Sequence, residues 1–255
     1  MTKKLIKFPI LKRLIPSFYK KYLFFKKDYF KELIIEDVTY NLDLRHLIDR
    51  RFYFHKEYEK ELFKPMVNII KENSIDHFLD VGSCWGIYSL RLCKVFKNLN
   101  ILSFDPIKKN IQRLKKSIFK NKINNIKVFH TALGSKKGNI ELGATEDYSP
   151  NYKIDENNSV ISEYSSIDTL DNLLPVQNKK LVIKIDTEGF EYEVLKGADS
   201  LLKNNKCYCQ IEIIPSNKSD IFLYLRERNY KLISTNTNNK TDYIFSNFIT
   251  KQIYL

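Results

Sequence analysis

The sequence predicts an α/β protein with a seven-stranded, mostly parallel sheet, helices on both faces and an antiparallel hairpin at its C-terminal edge. Three observations lead to this prediction. From residue 77 onward, short apolar runs typical of strands alternate with segments of helical spacing, a pattern that implies parallel strands joined by right-handed crossovers. The first of these strands leads directly into a glycine turn, Asp80–Gly86. Only a polar run, 235–241, separates the last two strands, and no helix fits there.

Each element follows from its own pattern. Strands are predicted at His77–Val81, Asn100–Phe104, Ile126–His130, Leu181–Ile185, Cys207–Ile213, Tyr230–Ser234 and Asp242–Ser246. Helices are predicted at Ile87–Phe96, Lys108–Lys120, Glu191–Leu202 and Lys218–Arg228. Upstream, two strand-like runs at Glu32–Ile35 and Val38–Leu44 precede helical spacing over Leu62–Ile70. Residues 143–165 are mostly polar and contain Gly143 and Pro150, which predicts a long loop.

The chain divides into a basic extension with a strand-rich lead-in, residues 1–60, and a domain of residues 61–255. Its net charge is +13, and residues 1–27 contain nine Lys and Arg but no acid. This amphipathic, helix-like segment is interrupted by Pro9 and Pro16. It favours either peripheral contact with a membrane surface or packing of a solvated lead-in on the domain, and we prefer the second. Charge is the only support for a nucleic-acid partner, and we do not expect one.

Composition also bears on location and on metals. No apolar run approaches the roughly 18 residues of a membrane span, and the basic N-terminus lacks the apolar stretch of a secretory signal. We therefore expect a cytoplasmic protein, membrane-peripheral if the N-terminus makes that contact. The cysteines form no C-x-x-C pair and His is scarce, so we expect reduced core thiols and no metal site. These cysteines are Cys84, Cys93, Cys207 and Cys209.

The glycine turn after the first sheet strand is the first candidate ligand site. Gly82 and Gly86 allow the backbone to approach a ligand closely, with Ser83 between them. The turn lacks the G-x-G-x-x-G spacing of a dinucleotide pyrophosphate site. Asp80, two residues before the first glycine, suits a cationic amino-acid ligand better than a phosphate, and we expect it to hold an amino group directly or through water.

A second acid ends the next strand. Asp105 follows Gly86 by 19 residues, and Pro106 fits the start of the following helix. An acid at this edge of the sheet accepts the hydroxyls of a ribose. Dinucleotide sites use the same device, so Asp105 indicates an adenosine rather than one particular cofactor.

Together with later motifs, these segments resemble the FkbM family of methyltransferases. The resemblance spans roughly residues 50–247, and the run from Lys184 to Glu191 is its most specific part. It implies a class I, Rossmann-like methyltransferase fold, S-adenosylmethionine as methyl donor and usually O-methylation of a sugar, glycan or natural-product hydroxyl. The motifs are Asp80–Ser89, Phe104-Asp105-Pro106, Ala132-Leu133-Gly134, Ile167–Asp171, Lys184–Glu191 and Val194–Ala198.

The chain departs from the family pattern at three positions. The family's first loop usually reads G-A-N-x-G, but Cys84 stands here in place of the Asn and the bulky Trp85 follows it. The backbone role of the glycines is kept, whereas the Asn side chain is lost. Asp105 replaces the usual Glu and is shorter, so ribose binding requires a small shift of the backbone.

The resemblance also indicates where methyl transfer takes place. Asp186 and Glu188 follow the strand where the transferred methyl should face its acceptor, and a carboxylate near a hydroxyl can act as base. Asp186 is the first candidate and Glu188 the second, with the dipole of the following helix as the structural alternative. Glu191 either caps that helix or contacts substrate. Glu212, near the end of the next strand, is a weaker candidate for the substrate site.

Three further segments are expected to contribute to the site. Ala132 and Leu133 should contact adenine through backbone or apolar surface. His55 and Glu59 are candidates for the acceptor pocket. His130 ends a strand near the expected adenine position, and we interpret it as structural.

The sequence therefore predicts an S-adenosylmethionine-dependent methyltransferase acting on a hydroxyl of a sugar, glycan or related small molecule. The alternatives are an RNA or protein methyltransferase and a non-catalytic binding module on the same fold. Neither the acceptor nor the oligomeric state can be read from the sequence.

Overall fold

The computed structural model describes residues 19, 22–23, 25–144, 153–154, 161–235 and 241–249. The strands are β1 (Phe30–Ile35), β2 (Val38–Asp43), β3 (His77–Val81), β4 (Asn100–Asp105), β5 (Ile126–His130), β6 (Ala132–Leu133), β7 (Gly138–Ala144), β8 (Lys153–Ile154), β9 (Ile161–Asp168), β10 (Lys180–Ile185), β11 (Lys206–Glu212), β12 (Lys231–Thr235) and β13 (Asp242–Ser246). The helices are α1 (Leu47–His55), α2 (Lys60–Asn73), α3 (Ile87–Val95), α4 (Lys108–Lys120), α5 (Leu170–Leu173), α6 (Glu191–Lys196), α7 (Asp199–Asn204) and α8 (Lys218–Glu227).

The predicted seven-stranded sheet is confirmed. Its spatial order is β12-β13-β11-β10-β3-β4-β5. The strands from β11 to β5 are parallel, and β13 runs antiparallel to both β11 and β12. Because only six residues separate β12 from β13, fewer than a crossover connection needs, the two strands pair antiparallel as the predicted edge hairpin.

Register places the ends of the parallel strands at one edge. Val81 of β3 pairs with Ile185 of β10 and with Phe104 of β4, while Ile185 also pairs with Ile211 of β11. The residues that follow these four therefore come out at the same edge. In open α/β sheets, ligands bind in the crevice outside the carboxyl ends of the strands.

A second sheet corrects the predicted loop 143–165. Its order is β6-β9-β7-β8, and β7 pairs with β9 in antiparallel register from Gly138↔Ile167 to Ala144↔Ile161. The loop prediction is therefore wrong at both of its ends, whereas 145–152 and 155–160 lie outside the described residues. Glycines in β7 and paired serines in β9 weaken the apolar alternation by which a strand is recognised.

The single helix predicted over Glu191–Leu202 is also wrong, because α6 and α7 are separate. Between them, Gly197 packs on the backbone of Gly134, and a Cβ at Gly197 would lie 1.9 Å from the Gly134 carbonyl oxygen. Two of the family motifs thus meet in a backbone contact that a side chain would prevent. In the first turn of α7, Ser200 N and Leu201 N donate hydrogen bonds to the Asp171 carboxylate at 2.9 Å and 2.8 Å.

The described part of the lead-in packs on the domain. Leu33, Tyr40 and Phe52 are buried in one apolar cluster with Trp85 of the glycine turn and Leu114 of α4. The strands predicted at Glu32–Ile35 and Val38–Leu44 are confirmed as the hairpin β1–β2. Most of the helix-like segment 1–27 lies outside the described residues. Within the described ranges, no helix is long and apolar enough to cross a membrane.

Candidate active site

A cavity opens at the carboxyl edge of the main sheet, with an empty volume of about 1060 Å³ including its mouth. This is the position expected of a small-molecule site in an open α/β sheet. Many of the predicted site residues line it: Asp80, Gly82, Ser83, Asp105, Pro106, Ala132, Leu133, Asp186 and Glu188. In the described part of the chain, Gly86, Glu191, Glu212, His55 and Glu59 are not among the lining residues.

The glycines of the turn are required by packing as well as by any ligand. Gly82 has φ +74°, and a Cβ there would lie 1.8 Å from the carbonyl oxygen of Asp186. Gly86, at φ +83°, begins α3 against Leu114, whose Cδ1 would lie 2.4 Å from an added Cβ. The amides of Gly82 and Ser83 both donate to the Phe104 carbonyl at 3.0 Å. The turn therefore joins three strand ends into one rigid wall of the cavity.

Ser89 of α3 holds the Asp80 carboxylate in place. It is 2% exposed, and its Oδ2 accepts hydrogen bonds from Ser89 Oγ at 2.6 Å and Ser89 N at 3.2 Å. Burial raises the pKa of Asp80, while the Lys184 ammonium and the Ser89 bonds act in the opposite direction. The side chain lines the cavity in a fixed orientation, as a group that contacts a cationic ligand requires.

Asp105 is held by the backbone around it. Its Oδ2 accepts from Cys84 N at 2.8 Å, and its Oδ1 accepts from Ile107 N at 2.9 Å and from Asn110 Nδ2 at 3.1 Å. Burial raises the pKa of Asp105 to about 7, against these three hydrogen bonds. The short side chain thus ties the glycine turn to the start of α4. Ribose binding by Asp105 stays a prediction, and a ribose would have to share oxygens already in use.

Cys84 adopts a left-handed backbone conformation, with φ +51°. Asn tolerates this conformation better than other side chains because its amide bonds locally, which gives a physical reason for the Asn of the family pattern. We expect Cys84→Asn to raise the free energy of unfolding by about 0.5–1 kcal/mol, measured by urea unfolding without ligand. Cys84→Ser, of similar size but without this preference, should gain less; an equal gain would exclude backbone strain as the cause.

Contacts with the lead-in account for the bulky Trp85 in the glycine turn. It is 1% exposed, and its Nε1 donates to Asp49 Oδ1 of α1 at 2.7 Å. The other Asp49 oxygen accepts from Asp43 N at 2.6 Å and is paired with Arg113 of α4. The Arg113 guanidinium also lies 5.2 Å from the Trp85 ring centroid. The bulky residue in the loop therefore fixes the lead-in to the domain above the cavity wall.

A row of polar residues crosses the buried sheet one or two positions before the strand ends. Lys184 of β10 pairs in register with Gln210 of β11 on one side and Asp80 of β3 on the other, and Asp80 pairs with Ser103 of β4. All four are 6% exposed or less. No role was predicted for Lys184. A lysine inside the apolar run Leu181–Ile185 nevertheless indicates a buried charge that needs a partner.

Lys184 is the buried cation of the site. Its Nζ donates to Asp186 Oδ2 at 2.7 Å and lies 5.1 Å from the ring centroid of Tyr88. Burial alone would lower the pKa of Lys184, but the carboxylates of Asp186, Glu59 and Asp80 raise it above its usual range. The ammonium therefore keeps its charge and compensates the acids around it.

Asp186 carries the complementary charge. Burial favours its neutral form, but the Lys184 ammonium and its hydrogen bond hold the pKa of Asp186 below the usual range. Glu212, at the end of the neighbouring strand, is hydrogen-bonded to Asp186. Burial, followed by the Asp186 charge, raises the pKa of Glu212 to about 8. The Lys184 ammonium beside Asp186 thus favours the charged form of Asp186 and the protonated form of Glu212.

Glu212 should impose a pH dependence on stability. An acid whose folded pKa is raised binds more protons in the folded state between its unfolded pKa, about 4.3, and its folded value, so its contribution to stability falls as pH rises from about 5 to 8. We expect the stability of Glu212→Gln relative to wild type to increase over this window, measured by urea unfolding at several pH values. Glu227→Gln, an exposed acid on α8, is the control, and a pH-independent difference would contradict the assignment.

Glu59 reaches the same network from the lead-in. Tyr88 Oη donates to Glu59 Oε2 at 2.7 Å, and Tyr58 also hydrogen-bonds to this carboxylate. Burial raises the pKa of Glu59, and Lys184 lowers it. Its backbone is left-handed, with φ +45°. Glu59 therefore lies beside the predicted catalytic acid without lining the cavity, whereas Tyr58 and Tyr88 do line it.

Two residues predicted as substrate contacts, Glu191 and His55, are not among the described lining residues of the cavity. Glu191 is 1% exposed, and its Oε1 accepts from Thr187 N at 3.1 Å, Thr187 Oγ1 at 3.0 Å and Gly189 N at 2.9 Å. It organises the turn that presents Glu188, which is exposed and has φ +55°. His55 is the last residue of α1 and is not among the described lining residues, so the structure gives no support to a substrate contact.

The apolar side of the cavity is formed by β6 and its surroundings. Ala132 and Leu133 are buried and line it, together with Ile107 and Leu142. His130 is exposed, and its Nε2 lies 2.9 Å from the Pro106 carbonyl oxygen, in keeping with the structural interpretation. Within the described residues, no group of three or more His, Cys, Asp or Glu is arranged to hold a metal ion.

Comparison with known families settles the membership. The family model described as "Methyltransferase FkbM domain" matches residues 80–232, which is more than half of the chain. The chain belongs to this family. The match begins at Asp80 and includes the glycine turn, Asp105 and the segment from Lys184 to Glu212. No curated protein matches the chain.

The strand order of the main sheet and the superposition on one solved structure confirm the class I methyltransferase fold. The human methyltransferase 10 domain containing protein superposes with a TM-score of 0.50 at 12% identity, covering 91% of this chain and 94% of that one. Precorrin-6y C5,15-methyltransferase from Geobacter metallireducens gives 0.44 at 10% identity, over 74% and 88%. TYW2 from M. jannaschii, solved in complex with AdoMet, gives 0.45 at 9% identity, over 86% and 84%. At such identities, the likeness concerns the fold alone.

Proposed function

We propose that this FkbM-family protein is an S-adenosylmethionine-dependent methyltransferase that O-methylates a hydroxyl of a sugar, glycan or related small molecule. One observation carries the proposal: a single cavity is lined both by the glycine turn with Asp80 and Asp105 and by the carboxylates Asp186 and Glu188. The first group suits an amino-acid and ribose ligand, and the second suits an acceptor hydroxyl. We further propose a cytoplasmic location, with which four unpaired cysteines agree.

The lining residues fit the proposed cofactor. Ser83 Oγ is buried and finds no hydrogen-bond partner among the described residues, so it is available to a polar ligand group. Asp80 would hold the amino group, Asp105 the ribose hydroxyls, and Ala132 with Leu133 the adenine. When bound, S-adenosylmethionine supplies an electrophilic methyl group on a sulfonium.

Methyl transfer to a hydroxyl depends more on the orientation of that hydroxyl than on a strongly basic carboxylate beside it. Asp186 is ionised and fixed by Lys184, so an acceptor hydroxyl can donate its hydrogen bond to a carboxylate of known position. A low pKa makes Asp186 a weak base in the ground state, but holding the reactants in line contributes much of the rate. As the acceptor oxygen loses electron density, its proton becomes more acidic and Asp186 can take it. Glu188, exposed beside the cavity, is the second candidate.

Cofactor binding is the first test. Calorimetry with S-adenosylmethionine and S-adenosylhomocysteine should give binding to the wild type, and Asp105→Ala should lose it while circular dichroism shows an intact fold. Asp220→Ala, an exposed acid on α8, is the matched control. Absence of binding heat with both compounds at several temperatures would overturn the proposal and favour a binding module on this fold.

The acceptor class is the second test. Labelled S-adenosylmethionine should transfer its methyl group to members of a panel of glycans and lipid-linked sugars. RNA and a protein extract are assayed in parallel as the alternative acceptors. Transfer to RNA or protein alone would contradict the proposed acceptor class while leaving the cofactor assignment intact.

A further inference from the structure

The net positive charge of the chain is confined to two segments. Residues 1–37 contain ten Lys and Arg and four Asp and Glu, and residues 108–122 contain seven Lys and Arg and no acid. The rest of the chain is balanced, with 26 of each. The whole excess of +13 therefore belongs to the lead-in and to α4 with its following turn.

The hairpin β1–β2 and the C-terminal end of α4 are in contact. Thr39 N donates to Asn121 Oδ1 at 2.8 Å, and Asn121 Nδ2 donates to the Thr39 carbonyl at 2.8 Å. Lys120 of α4 forms an ion pair with Glu32 of β1. The hairpin β1–β2 and the C-terminal end of α4 thus form one continuous surface, the hairpin–α4 surface.

The outer face of α4 is cationic along its length. The helix buries Ile111, Leu114 and Ser117, and its exposed positions recur at helical spacing on the opposite side. Phe119 is 87% exposed among the lysines of that face. The exposed residues are Lys108, Gln112, Lys115, Lys116, Phe119 and Lys120.

The same surface carries exposed apolar side chains. On β1, Leu33 faces the core, so Phe30 and Ile34 point outward and are 66% and 67% exposed. They flank Glu32, whose charge is paired with Lys120. Among the described residues, five of the eleven exposed large hydrophobic side chains lie within residues 22–47. Apolar exposure and positive charge thus coincide on one part of the molecule.

We infer that the hairpin–α4 surface docks on an anionic phospholipid bilayer. Lysines on this surface are attracted by anionic headgroups, and exposed Phe and Ile side chains enter the headgroup–acyl boundary. The acids of the hairpin do not oppose this: Asp28 and Glu32 are paired with Lys31 and Lys120, and the Lys and Arg residues of 108–122 outnumber Glu36 and Asp37. A nucleic acid would use the lysines and stack on phenylalanine, but Ile34 offers it no aromatic face.

The test is co-sedimentation of the full chain with vesicles of equal parts phosphatidylglycerol and phosphatidylcholine, against vesicles of phosphatidylcholine alone. The wild type should bind the anionic vesicles, and added salt should weaken the binding because it screens surface charge. Lys115→Glu with Lys116→Glu should weaken the apparent affinity by about thirtyfold or more. Lys136→Glu with Lys137→Glu, two exposed lysines elsewhere, should leave it within about twofold.

A second pair of variants tests the apolar contribution. The triple variant Phe30→Ser, Ile34→Ser, Phe119→Ser should lose vesicle binding, whereas Val95→Ser, Leu223→Ser, Leu232→Ser, which are also exposed, should not. Thermal unfolding checks that both remain folded. Absence of wild-type binding to anionic vesicles, or equal binding by both triple variants, overturns the inference. The inference is also overturned if the protein binds single-stranded RNA through Lys115 and Lys116 but does not bind anionic vesicles.

Discussion

Replacing Lys184 by Met should lower the free energy of unfolding at pH 7 by about 3–5 kcal/mol, the cost of breaking a buried ion pair by removing one partner. Lys184 is 6% exposed, and three carboxylates depend on its charge: Asp186, Glu59 and Asp80. Met keeps the length of the side chain, so the loss reflects charge more than volume. Urea unfolding followed by circular dichroism measures it.

The pH dependence of this loss identifies its cause. The raised pKa of Lys184 contributes stability below its unfolded pKa, about 10.4, and the lowered pKa of Asp186 contributes stability above its unfolded value, about 3.9. The difference between wild type and Lys184→Met should therefore be largest between about pH 4 and 10. It should shrink below pH 4, where the carboxylates are protonated.

A double variant supplies the control. Lys184→Met combined with Asp186→Asn removes both partners of the ion pair, so its loss should be smaller than the sum of the two single losses. The loss in unfolding free energy that remains in the double variant measures the interaction of Lys184 with Asp80 and Glu59. Additive effects would show that Lys184 and Asp186 do not interact, and the electrostatic description of the site would then be wrong.

The sheet was predictable because its signal is local. Each predicted strand of the main sheet occurs within one or two residues of its predicted bounds, since a strand buried on both faces reads as a short apolar run. The edge hairpin followed from the lack of room for a helix between β12 and β13. The second sheet could not be predicted in this way, because its strands β7 and β9 rely on cross-strand pairing of glycines and serines.

The candidate site shows the same division. Asp80, Asp105 and Asp186 directly follow or end strands, and parallel strands bring such positions to one edge. Lys184 stood out as a lysine inside an apolar strand, but its partners could not be predicted. Asp186, Glu59 and Asp80 come from three different elements, and a contact between distant segments leaves no local pattern. For Glu191 the sequence left two roles open, a helix cap or a substrate contact. Its side chain turns back onto the amides of Thr187 and Gly189, as a group that organises this turn does.

Trp85 also shows what an unusual residue in a family motif can mean. The sequence showed only that a bulky residue stands in the glycine turn, where the family pattern does not require one. In the structure, its indole nitrogen serves a buried acid of the lead-in, Asp49, which is paired with Arg113. The departure therefore couples the wall of the cavity to α1, and Ile48 of α1 lines the same cavity. The lead-in therefore acts on the site through this packing as well as through the charge of Glu59 beside Lys184.

Asp186→Asn should lower kcat for methyl transfer by about 10²–10⁴-fold, the usual contribution of a positioned acid–base group. The amide has the same shape and can still accept from Lys184, but it can neither take the acceptor proton nor carry the charge that fixes Lys184. S-adenosylhomocysteine binding by calorimetry should remain, since Asp80 and Asp105 are unchanged. The rate is measured with labelled donor on the acceptor found in the transfer screen.

Two further substitutions decide which carboxylate acts on the acceptor. Glu188→Gln leaves the buried network intact, so it should affect KM more than kcat if Glu188 only contacts substrate. Glu212→Gln removes the proton held beside Asp186 and should move the pH profile of kcat rather than abolish transfer. If Glu188→Gln caused the larger fall in kcat and Asp186→Asn the smaller, Glu188 would be the base. The ion pair between Lys184 and Asp186 would then serve the fold, with the acceptor proton leaving at the exposed side of the cavity instead of toward the sheet.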